Sequence, residues 1–311
     1  MTDGGGELRV HSRPELRRPV LVASFRGWND GGQGASSAGS FLAKTWRTET
    51  FAEIDPEGFF DFSQTRPQIS LVEGSLRRIE WPANSFQLAR LDGEERDVVL
   101  LRGTEPSLRW RTFCSLVTGL ASELGVELMV TLGSLLADVP HTRPAPVTAS
   151  ASDPVLVEQL GVQVSRYEGP TGIVGVLHDA CRGAGIPSVS LWAAVPHYVS
   201  MTPSPRAAKA LCDRLGSLIG VEIDTAELDA AAEAYATQVS EAVEADEETA
   251  AYVEELESRA DEVEEAEEAG AQEQEIPSGD AIAAELTRFL REREEEDEGP
   301  EDGPVARDEG P

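Results

Sequence analysis

Through the first 223 residues, short apolar runs rich in β-formers alternate with stretches whose apolar side chains recur at three- and four-residue spacing. Residues 19–25, Pro-Val-Leu-Val-Ala-Ser-Phe, have the unbroken apolar character of a strand covered on both faces; a glycine-rich loop over 27–32 and a small-residue helix over 33–46 follow. Residues 97–103 repeat the strand signal. After them Trp110, Phe113, Cys114, Val117, Leu120, Ala121 and Leu124 line one helical face that Gly125 ends. Residues 126–132 and 188–195 read as further strands, and 155–160, 171–182 and 205–219 as helices. Strands alternating with helices imply an α/β fold with a mostly parallel sheet covered on both faces. Residues 51–91 differ: the extended runs 68–72, 76–81 and 86–91, broken by Pro, Gly and Asn, predict hairpin strands.

Charge divides the chain a second way. Residues 224–311 hold 32 acids against 5 arginines, a net of −27 out of −31, while the first 223 carry 25 acids and 21 bases. The expected organisation is an α/β domain over 1–223, an acidic helical hairpin of coiled-coil character over 224–268, a linker over 269–278, an amphipathic helix over 279–293 and a disordered acidic tail over 294–311. In the hairpin, Leu228, Ala232, Tyr235, Val239 and Val243 line one helix, and Tyr252, Leu256, Ala260 and Val263 the other. These stripes are thin, so both helices must pack on each other, on the domain or on a partner. Such acidity disfavours nucleic acid and suits a basic protein partner held by salt-sensitive contacts. No apolar run is long enough to span a bilayer, and Cys114, Cys181 and Cys212 lack disulfide or zinc spacing. A cytoplasmic protein without membrane contact, metal or cofactor is expected.

The chain has no GxxxxGK[ST], G-x-S-x-G or HExxH motif, and residues 32–37, Gly-Gln-Gly-Ala-Ser-Ser, lack the third glycine of a dinucleotide fingerprint. Polar clusters nevertheless stand just after strands. Asp30, Arg66, Glu105, His141, Arg143, Thr171 and His197 can meet in one cleft at the strand carboxyl ends, where such sheets bind ligands. That set suits acid/base work or anion binding. The competing view is that they cap helices and fix turns; Asp30 stands where an N-cap belongs, its carboxylate satisfying helix donors and repelling phosphate. No nucleophile with an adjacent base is evident, so no catalytic residue is assigned. His11 and His178 read as solvent-facing or packed, and Trp28, Trp81, Trp110 and Trp192 as core or interface aromatics.

Several stretches, in order, resemble the proteasome assembly chaperone 2 (PAC2) family: residues 25–31, Phe-Arg-Gly-Trp-Asn-Asp-Gly; residues 101–106, Leu-Arg-Gly-Thr-Glu-Pro; residues 132–144, ending Asp-Val-Pro-His-Thr-Arg-Pro; residues 169–173, Gly-Pro-Thr-Gly-Ile; and residues 191–199, Leu-Trp-Ala-Ala-Val-Pro-His-Tyr-Val. With only Lys44 and Lys209 as lysines, the composition is similar to an actinobacterial member. The resemblance implies a three-layer α/β/α sandwich like that of nucleoside phosphorylases and related hydrolases, followed by a helical appendage. It also implies self-association as a homo-oligomer and a non-catalytic role in assembly, with proteasome subunits among the expected partners. The hydrophobic-Tyr-X tail through which some archaeal relatives dock has no counterpart at residues 308–311, Asp-Glu-Gly-Pro. The alternative is a phosphorylase- or hydrolase-like enzyme, or a binder of nucleoside or phosphate, using the cleft.

Overall fold

The computed structural model describes residues 6–72, 76–91, 93–151 and 153–268. Among them, nine strands form one sheet in the order β1 (Leu8–Val10), β3 (Glu49–Ile54), β6 (Asn84–Ala89), β7 (Val98–Thr104), β2 (Val20–Arg26), β8 (Leu128–Ala137), β11 (Ser188–Pro196), β9 (Val147–Ala151) and β10 (Gln163–Val164). The four central strands β7, β2, β8 and β11 run parallel. Antiparallel pairs flank them: β6, β3 and β1 on one side, and β9 against β11 on the other, with β10 parallel to β9. A separate antiparallel hairpin pairs β4 (Gln68–Val72) with β5 (Leu76–Glu80).

Strand β2 shows how the sequence makes layers. Alternate side chains point to opposite faces of a sheet. Val20 and Val22 pack toward α1 (Gly34–Thr45) and α5 (Pro205–Ile219), among Ala38, Leu42, Leu211 and Leu215. Leu21, Ala23 and Phe25 pack toward α2 (Trp110–Glu123) and α4 (Ile173–Ala184), among Phe113, Val117 and Leu177. Both faces are therefore sealed, giving the α/β/α sandwich. At the margin, α3 (Pro154–Leu160) starts at Asp153, whose side chain accepts from Val155 N. Asp97, fully buried beside β7, binds Arg17 through Nη2 at 2.6 Å and the backbone N at 2.9 Å. Desolvation alone would lift its carboxyl, but the Arg17 contacts prevail and hold it below the usual range.

Beyond α5 come α6 (Ala226–Glu244) and α7 (Glu247–Glu268). Leu228 joins the α1–α5 core, whereas Tyr235, Val239, Val243 and Val253 form a satellite cluster with Tyr198, Val199, Met201 and Ala250. No helix among the described residues is long and apolar enough to cross a membrane. The linker, amphipathic helix and tail expected over 269–311 lie outside the described residues. The chain parts into two units, residues 1–165 with 171–270, and residues 166–170 with 271–311; in the described part of the second, the Tyr167 hydroxyl donates to the Pro170 carbonyl at 2.6 Å.

Two tryptophans depart from a core placement. Trp28 and Trp81 are 60% and 50% exposed, because each sits on a connection outside the sheet and not on a core-facing position. Trp192 lies flat over Gly133 of the neighbouring strand, where a Cβ would come within 2.6 Å of the ring.

Candidate functional site

The seven candidate residues separate into two groups and one isolated side chain. In the first group, the loop after β2 lies directly on β8: Asp30 forms a bridge with Ser134, and Ser134 N donates to Asn29 O at 3.0 Å. This approach requires glycine. A Cβ on Gly31 would sit 2.9 Å from Leu135 Cα, a clash with backbone that no rotamer relieves. Gly31→Ala is expected to cost roughly 2 kcal/mol, read as a lower urea midpoint at unchanged m-value; an unmoved midpoint would mean the loop has slack.

The amides of α1 are satisfied from within. Ser36 N donates to Asp30 Oδ1 at 3.0 Å, and Ala35 N to Ser134 Oγ at 3.2 Å. A short 3-10 turn, Gly31–Gln33, intervenes, so Asp30 serves the helix end from before its formal first turn. Burial raises the Asp30 carboxyl, with the Ser36 and Ala35 bonds and Arg26 opposing. Glu105 does the same for α4, whose N-cap residue is Gly172. Its Oε1 accepts from Ile173 N at 2.7 Å and from Asn29 Nδ2 at 3.3 Å, and its Oε2 from Trp28 N at 3.0 Å. Thr171 lies next to this cap. Asp30 and Glu105 thus hold helix N-termini and the loop between them, Asp30 from the position where the sequence places an N-cap, as expected of acids at the positive end of a helix.

The second group joins the sandwich to α6 and α7. His141 is buried; its Nδ1 lies 2.8 Å from the Tyr198 hydroxyl and its Nε2 3.0 Å from Ser240 Oγ on α6. Arg143 binds Asp261 of α7 with two bonds of 2.8 Å and stands 3.8 Å from Glu257, to which Thr142 also donates. His197 Nδ1 is 3.0 Å from Asp138, and its ring meets Tyr252 of α7 edge-on at 5.6 Å. Burial, then the nearby Arg206 charge, lowers the His141 pKa, and burial pushes the Tyr198 hydroxyl up to about 12. Both groups are uncharged at neutral pH. Arg66, by contrast, is exposed on the approach to β4 and belongs to neither group.

The chemistry open to these groups is narrow. Ser240 and His141 have the contact of a nucleophile with its base, but the third member is a tyrosine hydroxyl where orientation and charge stabilisation call for a carboxylate. The cavity bordered by His141, Arg143, Ser204, Arg206 and Tyr235 measures about 10 Å³, room for about one water molecule, whereas small-molecule pockets span some 300–1,000 Å³. The three cysteines are buried and burial pushes each thiol up to about 12, so none is a thiolate near neutrality. Among the described residues, no set of His, Cys, Asp and Glu gathers as metal ligands. The sequence reading did not single out Ser240, Glu257 and Asp261, or the role of Tyr198. The signal available was position: Ser240, Glu257 and Asp261 each directly follow a stripe residue, Val239, Leu256 and Ala260, whose face turns inward.

Comparison with known proteins follows the same geometry. The family model described as PAC2 family matches residues 24–243, which runs from β2 to the end of α6. A PAC2 family protein from Streptomyces avermitilis is 50% identical, covering 76% of this chain and 99% of its own, with a TM-score of 0.71. A Mycobacterium tuberculosis proteasome-assembly chaperone homologue is 47% identical, covering 75% and 99%, with a TM-score of 0.69. A Mycobacterium tuberculosis protein of unknown function is 28% identical, covering 86% and 95%, with a TM-score of 0.76. No curated protein matches the chain. With the model spanning most of the sandwich and α6, and these identities carried over nearly the full length of the relatives, the chain belongs to the PAC2 family.

Proposed function

We propose that this protein is a non-catalytic assembly factor of the cytoplasm that contacts proteasome subunits, self-associates through its α/β domain and engages partners through its acidic helices. The observation that carries this reading is the occupied carboxyl end of the parallel sheet. Where an α/β enzyme keeps an open crevice, Glu105 is committed to three N–H donors, and His141, Thr142 and Arg143 are committed to α6 and α7. The 47%-identical proteasome-assembly chaperone homologue supports the choice of partner. Affinity purification from the native organism, at low and high salt, tests it. Proteasome subunits are expected at low salt and depleted at high salt, because contacts to exposed carboxylates are screened; their absence at both would remove the proteasome from the reading.

The contact between Ser240 and His141 is the specific observation behind the second reading, an enzyme or small-ligand binder. A thermal-shift series with nucleosides and inorganic phosphate separates the two, since a ligand that binds the folded state raises the melting temperature by an amount that grows with the logarithm of its concentration above Kd. The assembly reading expects no shift.

A further inference from the structure

The hairpin β4–β5 stands outside the nine-stranded sheet. Its register pairs Ile69 with Ile79 and Leu71 with Arg77, so these four share one face, and alternation puts Trp81 on it as well. That face is uncovered: Ile69, Leu71, Ile79 and Trp81 are 62%, 64%, 53% and 50% exposed. Trp81 also packs edge-on against Phe62, ring centroids 4.8 Å apart, which anchors the base of the hairpin. A lone two-stranded hairpin is marginal in water, and a contiguous apolar face of this kind marks an interface.

Area and charge identify the occupant. The uncovered parts of the four apolar side chains come to roughly 450 Å² per copy, so two copies with their polar rims approach about 1,200 Å², the lower end of specific interfaces. Two chains of charge −31 repel wherever their acids meet. Residues 64–81, however, carry three arginines against two glutamates, a net of +1. A basic partner fits the acidic helices and is not drawn to this face; a second copy can meet it without opposing carboxylates. We infer that the apolar face of the hairpin packs against the same face of a second copy in a two-fold contact, one sheet layer on another. This rests on the self-association in the reading above and assigns it a surface.

Sedimentation of the full chain over about 1–200 µM tests it, in the micromolar range expected of so small an interface. A concentration-dependent dimer is expected, tightening several-fold as salt rises, because screening removes repulsion between acidic copies while apolar contact persists. Ile69→Asp with Ile79→Asp is expected to abolish the dimer at an unchanged melting temperature, since both side chains already face solvent. Leu71→Arg is the second variant, used should the double variant lose cooperative melting. A wild-type chain monomeric throughout would overturn both this surface and self-association. Variants that dimerise as the wild type does would overturn this surface and leave self-association standing. A dimer that weakens with salt would contradict the charge argument.

Discussion

Val239→Asp is expected to free α7 and the C-terminal part of α6 from the sandwich while leaving the sheet folded. Val239 is 2% exposed at the centre of a cluster that draws Tyr235 and Val243 from α6, Val253 from α7, and Tyr198, Val199 and Met201 from the sandwich. The substitution forfeits about 1.5–2 kcal/mol of apolar burial and would bury an unpaired carboxylate at a cost of several kcal/mol more. Leaving the seat is the less costly response. The polar contacts around it cannot hold the pair of helices in place: Arg143 and Asp261 are 37% and 49% exposed, and exposed ion pairs are weak and screened. Hydrogen exchange is the readout. Amides of residues 235–268 are expected to exchange about 100-fold faster or more, with those of β2, β7 and β8 unchanged and the first turn of α6 held by Leu228 in the α1–α5 core. Loss of protection in the sheet as well would show that the helices and the sandwich fold as one cooperative unit.

The second large effect is in pH dependence, and it centres on His178. Its Nε2 lies 2.8 Å from Thr131 Oγ1 on β8 and its Nδ1 2.8 Å from Ser188 Oγ at the start of β11. Burial drives its pKa down to about 4 from an ordinary 6.5. Between those values the unfolded chain binds a proton that the folded chain refuses, so stability rises with pH across the window and is lost as pH falls from 6.5 toward 4. The full difference amounts to roughly 3 kcal/mol. In His178→Gln the amide can still reach a hydroxyl but no longer titrates. Urea midpoints at pH 7 and pH 4.5 are expected to fall further for the wild type than for the variant. Carboxylates titrate in both proteins, including Asp30, whose raised pKa acts in the opposite direction, and cancel in the comparison. Equal falls would show that His178 accepts its proton in the folded state without penalty.

Much of the sandwich was legible because burial on two faces leaves a mark in the sequence. Residues 20–23 and 98–101 are apolar without alternation, as strands covered on both sides must be, and the spacing from Trp110 to Leu124 matches α2 to within a residue or so. Marginal strands leave a weaker mark. β1 and β10 are short, and β9 is Val-Thr-Ala-Ser-Ala, whose small side chains have no strong period. For Trp28 and Trp81 residue type left core and interface open, because a side chain on a connection is buried only if something packs over it.

The candidate site shows the division most clearly. Strand-end placement of Asp30, Glu105, His141, Arg143 and His197 could be read from the sequence, because each follows an apolar run and such runs become parallel strands. Whether those ends form one cleft could not, because sequence order does not record which donors reach which acceptors. Folding places the amide of Ile173 2.7 Å from Glu105, 68 positions along the chain, and Ser240 3.0 Å from His141, 99 positions away. Local period and composition dictate element type and which face is apolar, since these depend on neighbours along the chain. Long-range packing settles which polar groups are consumed as caps and joints, because a hydrogen bond depends on distances of a few tenths of an ångström between residues the sequence keeps far apart.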